Sequence, residues 1–253
     1  MSTDVMMERI SKSSPRLKAR IAGGLYLIII AAAIFAEFSV RGRLVVFGDA
    51  VATATNILAH QTLFRLGFAA ELITLVCDIA VALIFYDLFK PVSRSLSLLG
   101  AFFRLAWASI MAVISLTHLT PLILLGGARY LTAFQAGQLQ ALALMSLELH
   151  GQGYGLGLVF FGFHCLLLGY LVFRSTFLPR ILGMLLAIAG LCYVTNSFAT
   201  FLSPRFAAHL FPYILLPWLV AEGFLTLWLL VVGVNVQRWK EQASTGAASN
   251  RRT

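Results

Sequence analysis

The sequence has few charged residues, and this scarcity excludes most soluble folds. Asp, Glu, Lys and Arg make up 11% of the 253 residues, and only ten residues are acidic. Soluble domains contain about 25% charged residues. Apolar residues reach 60%, and the mean hydropathy is +0.88. Because so few charges cannot cover so much apolar surface in water, the composition predicts an integral membrane protein.

Cysteine is also scarce, and the chain offers no soluble domain for a nucleic acid. Cys77, Cys165 and Cys192 each fall within an apolar run, without the spacing of a disulfide framework or a cysteine metal site. The net charge of +9 does not indicate a nucleic-acid partner, because no folded soluble part remains to bind one. The bilayer is the partner that the composition predicts, and the oligomeric state stays open.

Six apolar runs are each long enough for a membrane-spanning helix of about 20 residues. They cover residues 21–40, 66–86, 98–125, 156–173, 181–202 and 210–236. Each run is continuously apolar, whereas a barrel strand would alternate over about ten residues. The predicted fold class is therefore all-α, a polytopic transmembrane helix bundle of six spans. The predicted organisation is a basic segment 1–18, a membrane domain 19–238 and a disordered tail 239–253.

Lysine and arginine are distributed unevenly between the two sides of this bundle. Thirteen fall on the side of both termini, and five fall on the other side. Because cytoplasmic loops carry the excess of positive charge, both termini and the tail are predicted to be cytoplasmic. The expected location is the cell (cytoplasmic) membrane, as in a bacterial inner membrane.

Glycine recurs with helical spacing in the fourth and fifth spans. Gly155, Gly162 and Gly169 lie seven residues apart, as do Gly183 and Gly190. Small residues let helix backbones approach closely in lipid. We interpret these stripes as packing surfaces.

Ionisable residues inside the spans are the best indication of function. A charge at the centre of an isolated membrane helix costs about 2.5–3.5 kcal/mol. Chains keep such residues when they find partners, face water or perform a function. Three successive spans each carry a pair seven or fourteen residues apart, which places both members on one helix face. The pairs are Glu71 with Asp78, Arg104 with His118, and His150 with His164.

Depth sorts these residues into two predicted layers. Asp78, Arg104 and His164 each lie about nine residues, or roughly 13 Å, inside the cytoplasmic surface. Glu71 falls between the layers, and Glu222 lies near the middle of the sixth span without a basic residue in that span. The remaining residues form an outer polar layer, which consists of Glu37, His118, Glu148 and His150.

The inner residues leave three interpretations open. Asp78 and Arg104 form a structural ion pair with His164 nearby, or Arg104 snorkels to the surface, or the cluster relays protons or binds a polar group. The favoured function is a transporter or binding protein for a small solute or lipid, with Asp78, Arg104, His164, Glu71 and Glu222 as its polar intramembrane site. A structural or regulatory membrane partner needs no site at all.

A membrane enzyme is the alternative that the outer histidines suggest. Two histidines at one depth, His118 and His150, are a loose match to haem ligation. A zinc hydrolase would add Glu71 and Glu148. The sequence has no HExxH motif or other tight histidine spacing. We therefore predict no cofactor or metal, and we favour a role without catalysis.

Short motifs in five regions and one longer block carry a family resemblance. They lie at residues 20–27, 64–67, 77–78, 90–91, 102–105 and, most specifically, 157–170. In these motifs the chain resembles the bacterial multi-pass membrane proteins of domain-of-unknown-function family 4386. The resemblance covers about residues 18–234 and implies a single multi-pass domain. It implies no activity, but it places Asp78, Arg104 and His164 within motif blocks.

Overall fold

The computed structural model describes residues 14–210 and 213–249, and every regular element in these ranges is helical. Five of the helices are long and apolar enough to cross a membrane. They are α1 (Pro15–Leu44), α3 (Gln61–Phe89), α4 (Arg94–Leu124), α5 (Ala136–Arg174) and α6 (Arg180–Leu202). Even α6, with 23 residues, is about 35 Å long, which exceeds the apolar thickness of about 30 Å. The predicted all-α membrane class is confirmed.

Shorter elements connect these helices. Helix α2 (Ala50–Ala59) follows α1, and helix α7 (Pro204–Leu210) follows α6. Single 3₁₀ turns cover Arg129–Ala133 and Tyr213–Leu215. Helix α5 begins twenty residues before the predicted fourth span.

The sixth span differs from the predicted continuous run over residues 210–236. Helix α8 (Leu216–Val231) has 16 residues and is followed by a second helix across a bend of 102°. Gly233 adopts the left-handed backbone conformation that ends a helix, with φ of 74°. The Asn235 side chain then accepts a hydrogen bond from the Arg238 amide and starts the next helix. Within the described part of the chain, the count of candidate spans is therefore five, or six if the bent pair is one span.

The sequence predicted a disordered tail from residue 239, and the structure differs from this prediction. Helix α9 (Val236–Ser249) occupies most of it. The Trp239 indole donates to the Leu88 carbonyl oxygen at 2.8 Å, and Gln242 accepts from the Thr176 amide at 3.0 Å. These contacts hold the segment in place as a helix, although its composition is rich in Ser, Ala and Gly. Residues 250–253 lie outside the described residues, as do residues 1–13 of the predicted N-terminal segment.

The chain divides into two compact units. Unit 1 contains Met1–Leu27, Asp78–Ala106 and Leu158–Thr253. In it, helices α5 and α6 approach through the predicted glycine stripes. A Cβ atom on Gly169 would lie 2.7 Å from the Gly183 carbonyl oxygen, and one on Gly190 would lie 2.7 Å from that of Gly162. These four glycines therefore serve helix packing.

Unit 2 contains Ile28–Cys77 and Trp107–Gly157. Its core is formed by five buried residues, Val40, Leu44, Ile57, Phe64 and Leu147. Within α1, residues Phe35–Arg41 form a π-helix. Such wide turns are rare and frequently occur at functional sites. In this unit, the wide turn carries two of the charged residues described below.

Candidate functional site

Arg104 is the centre of a buried polar network in unit 1. Its side chain is 0% exposed, and its Nη2 group donates to Asp78 Oδ1 at 2.5 Å. Its Nη1 group donates to the Tyr26 hydroxyl at 3.3 Å and to His164 Nε2 at 3.1 Å. The guanidinium carbon also lies 4.8 Å from the centre of the Tyr26 ring. The arginine is therefore held by an ion pair, by two further acceptors and by an aromatic face.

The hydrogen bonds of His164 fix its tautomer. Arg104 has only donors, so the Nε2 atom that it contacts must offer a lone pair. The opposite ring atom, Nδ1, lies 2.8 Å from the Gly100 carbonyl oxygen, which only accepts. His164 is therefore a neutral imidazole with its proton on Nδ1, and both of its nitrogen atoms have partners.

Glu222 has partners on other helices, although none was evident in its own span. The Tyr193 hydroxyl donates to Glu222 Oε1 at 2.6 Å. The Tyr26 hydroxyl lies within hydrogen-bonding reach of the same carboxylate. Tyr26 thus links Glu222 to Arg104. Each long helix of the bundle and α8 contributes one residue to this network, namely Tyr26, Asp78, Arg104, His164, Tyr193 and Glu222.

A small pocket lies beside His164 in unit 1. Its lining includes Phe85, Ser97, Gly100 and Leu168. It has room for about one water molecule. A pocket of this size cannot hold a solute or a lipid headgroup.

Glu71, His118 and His150 form a second buried cluster, in unit 2. His118 Nδ1 lies 3.2 Å from Glu71 Oε1, and His150 Nε2 lies 3.5 Å from the same oxygen. All three residues are buried, with at most 7% of any of them exposed. One ligand atom from each lies within 4.8 Å of the other two, as in a metal site.

The outward nitrogen atoms of both histidines contact backbone carbonyls. His118 Nε2 lies 3.2 Å from the Phe64 carbonyl oxygen, and His150 Nδ1 lies 3.1 Å from that of Ile114. Because a carbonyl only accepts, each outward nitrogen carries a proton, and in the neutral form of each ring the inner nitrogen presents a lone pair toward Glu71. His118 Nδ1, His150 Nε2 and Glu71 Oε2 have no hydrogen-bond partner within residues 14–210 and 213–249. In that form, two imidazole lone pairs and a carboxylate converge at the centre of this cluster.

Two charged residues of the π-helix connect the cluster to its more exposed surroundings. Arg41 Nη1 donates to Glu71 Oε1 at 3.2 Å, and Arg41 Nε donates to Glu37 Oε2 at 2.9 Å. The exposed fraction of the side chain falls from 60% at Glu37 to 19% at Arg41 and 7% at Glu71. Exposure therefore increases outward from the cluster along the π-helix.

Most of the chain matches the model of one known family. Residues 21–233 match the family model described as "Domain of unknown function (DUF4386)". The chain belongs to this family. It is 32% identical over 127 residues to an "Uncharacterized protein" of the archaeon Archaeoglobus fulgidus, a match that covers 50% of this chain and 62% of that protein. No solved structure matches the chain.

In this member of the family, the three predicted face-sharing pairs are divided between the two clusters. Asp78, Arg104 and His164 meet in unit 1, whereas their partners Glu71, His118 and His150 meet in unit 2. Glu71, which depth placed between the layers, thus joins the outer histidines. Glu222 joins the unit 1 network.

The other outer residues take different positions. Glu37 contacts the unit 2 cluster through Arg41, whereas the Glu148 side chain is exposed on α5 and does not join it. Sequence reasoning missed Tyr26, Tyr193 and Arg41 as members of the clusters. Tyr26 lies in the family motif at residues 20–27, which was a usable signal, whereas Arg41 follows the first predicted span at 21–40 and carried no such signal.

Proposed function

We propose that this chain is a membrane-embedded metalloenzyme. Its divalent transition metal would be held by the Glu71 carboxylate, His118 Nδ1 and His150 Nε2. The observation that carries the proposal is the convergence of a buried carboxylate and two buried imidazole nitrogen atoms that have no hydrogen-bond partner among the described residues. A cation would bind the carboxylate and both nitrogen atoms together.

The spacing of the three groups suits a metal ion. Ligand distances of about 2.0–2.1 Å in a tetrahedral zinc site place neighbouring ligand atoms about 3.3 Å apart. The two separations from Glu71 Oε1 are 3.2 and 3.5 Å. The third separation, between His118 and His150, is within 4.8 Å. The carbonyls of Phe64 and Ile114 supply the outer hydrogen bonds that orient metal-bound histidines.

Three protein ligands leave a coordination position open, which is typical of catalytic rather than structural zinc. A zinc ion in such a site activates a water molecule or polarises an oxygen of the substrate. Arg41 lies beside Glu71 and supplies a positive charge at the same place. We therefore propose hydrolytic chemistry for the site. Two histidines and one glutamate also form the ligand set of several zinc hydrolases.

Haem fits this cluster less well. The His118 and His150 rings are 5.8 Å apart, and both contact the Glu71 carboxylate. A macrocycle bound by both histidines would need the space that this carboxylate fills. The Phe64 ring also lies 4.4 Å from the His118 ring.

This proposal departs from the preference that the sequence suggested, which was a solute-binding site without a metal. The residues expected to bind a solute are engaged with one another in unit 1, and the pocket beside them takes about one water molecule. Transport of a solute or lipid is therefore the less supported function. The metal-dependent enzyme takes its place because its cluster has unmet binding capacity.

Metal analysis of the purified full-length protein tests the proposal. After purification with Zn²⁺ and removal of loosely bound ions, we expect about one equivalent of zinc per chain. His118→Gln and His150→Gln should reduce the zinc content to background. His60→Gln and His209→Gln change exposed histidines and should retain it.

Two results would contradict the proposal. One is a wild-type protein that takes up no zinc, iron or manganese after reloading. The other is an unchanged zinc content in both ligand variants. If the ligand variants do not fold, stripping the wild-type protein with a chelator and reloading it provides the same test, since metal uptake must then saturate at about one equivalent.

A further inference from the structure

We infer that the metal site of unit 2 binds an anionic oxygen group, a carboxylate or a phosphate, between the ion and Arg41. This inference rests on the proposed metal. It adds the chemical class of the ligand that occupies the open position. Three observations support it: the charge balance of the cluster, the donors of Arg41 and the gradient of exposure.

The charge balance leaves the loaded site positive. In the loaded site both histidines are neutral, because a nitrogen that binds the ion carries no proton while the other nitrogen donates to a carbonyl. Glu71 contributes −1, against +2 from the ion and +1 from Arg41, so the inner group carries +2. Glu37 lies further out, and its side chain is 60% exposed. Uncompensated charge in a buried site is unfavourable, so an anionic ligand stabilises the loaded site.

Arg41 presents suitable donors for such a ligand. Its guanidinium has five N–H donors in one plane, and its contacts with Glu37 and Glu71 use one nitrogen atom each, Nε and Nη1. The planar fork matches the two oxygen atoms of a carboxylate or phosphate group. The contact with Glu71 places this fork next to a metal ligand. An oxygen group at the open position can therefore meet the ion and the guanidinium together.

Exposure indicates the route by which such a group approaches. Arg41 is partly exposed, whereas both histidines lie deeper in the unit. A group that arrives from the π-helix side therefore meets Arg41 before it meets the metal ligands. The alternative role of Arg41, which is only to neutralise Glu71, would affect the metal affinity but would give no dependence on an added anion.

Cobalt substitution provides a direct readout. The full-length protein is loaded with Co²⁺ in phosphatidylcholine nanodiscs, and its visible absorption bands are followed while inorganic phosphate is added. We expect a saturable spectral change in the wild-type protein. Arg41→Gln should weaken phosphate binding by about tenfold to a hundredfold, the range expected for a lost hydrogen bond to a charged group. Arg41→Lys should have a smaller effect, because it keeps the charge but loses the fork.

The matched control is Arg43→Gln. Arg43 is an exposed arginine two residues along the chain. Its replacement should leave the phosphate titration unchanged. A second sample without phosphate, in nanodiscs that contain phosphatidic acid, tests the source of the group. A spectral change in that sample assigns a lipid phosphate, and a change with inorganic phosphate alone assigns a soluble anion.

The possible failures are distinguishable. If cobalt does not bind, the metal proposal fails and this inference fails with it. If cobalt binds but neither phosphate, acetate nor phosphatidic acid changes the spectrum, this inference alone is wrong. The same conclusion follows if Arg41→Gln and Arg43→Gln bind phosphate as tightly as the wild-type protein does.

Discussion

The two buried clusters of this protein contain similar residues but balance their hydrogen bonds differently. In unit 1, donors meet acceptors: Arg104 donates to Asp78, Tyr26 and His164, and Tyr193 donates to Glu222. In unit 2, each histidine donates from its outward nitrogen to a backbone carbonyl, and the inner nitrogen atoms that face Glu71 have no hydrogen-bond partner among the described residues. Arg41 supplies the donor there, from the more exposed side.

Whether buried polar groups have hydrogen-bond partners distinguishes a structural cluster from a ligand site better than the types of residue do. A buried charge with a complete set of partners needs no ligand to explain it. Buried nitrogen atoms that converge on a carboxylate without partners of their own are better explained by a ligand. The costly charge of Arg104, which seemed the clearest sign of function, therefore indicates a structural tie between helices. The binding function that we propose belongs instead to the cluster of Glu71, His118 and His150.

The largest expected effect comes from breaking the unit 1 network at its centre. Arg104→Met leaves Asp78 buried without its cation and should lower the free energy of unfolding by about 3–5 kcal/mol. The double variant Asp78→Leu with Arg104→Met removes both charges and should recover most of this loss. Thermal unfolding in detergent measures both. A single variant as stable as the wild-type protein would contradict the structural interpretation.

The second effect concerns unit 2 and its metal. Zinc at about 100 times its dissociation constant should add about 2.7 kcal/mol to the free energy of unfolding. For a chain of this size, that raises the melting temperature by about 5–10 °C. His118→Gln and His150→Gln should abolish the zinc-dependent increase, whereas Asp78→Asn should keep it if that variant folds. A zinc-dependent increase that survives in both histidine variants would place the ion elsewhere.

A smaller effect is expected at the edge of the unit 1 network. Tyr193→Phe removes the hydroxyl that donates to Glu222 at 2.6 Å. The loss of a hydrogen bond to a charged group should lower the free energy of unfolding by about 1.5–3 kcal/mol. Tyr213→Phe is the control, because Tyr213 is 73% exposed. Equal effects of the two variants would show that Glu222 does not depend on this donor.

The sequence predicted the class of fold because composition and apolar run length reflect the bilayer directly. It was less successful where local packing decides the outcome. The sixth span ends early because Gly233 adopts a left-handed conformation. The tail forms a helix because Trp239 and Gln242 bind residues far away in the chain. The cytoplasmic orientation of the termini and the choice of membrane stay predictions.

Most residues of the two clusters could be predicted from the sequence, but their division into two clusters could not. Helical periodicity paired Glu71 with Asp78 on one face, but the two residues belong to different clusters. Uncharged and loop residues were harder to foresee. Tyr26 and Tyr193 resemble other aromatic residues of a membrane helix until their hydroxyl partners are known. The contact of Arg41 with the cluster could not be foreseen without the π-helix, because this wide turn changes the register of α1 near its end.

The smallest expected effect tests whether the approach to the unit 2 cluster is as open as its exposure indicates. Glu37→Gln removes the charge that contacts Arg41 at 2.9 Å. Because the Glu37 side chain is 60% exposed, the free energy of unfolding should change by less than about 1 kcal/mol. Zinc content should also stay unchanged, since Glu37 is not a proposed ligand. Glu148→Gln, at an exposed glutamate on α5, is the matched control for both measurements. A loss of stability as large as that of Tyr193→Phe would show that the Glu37–Arg41 pair is a structural tie like the unit 1 network, and the contrast between the two clusters would then be wrong at this position.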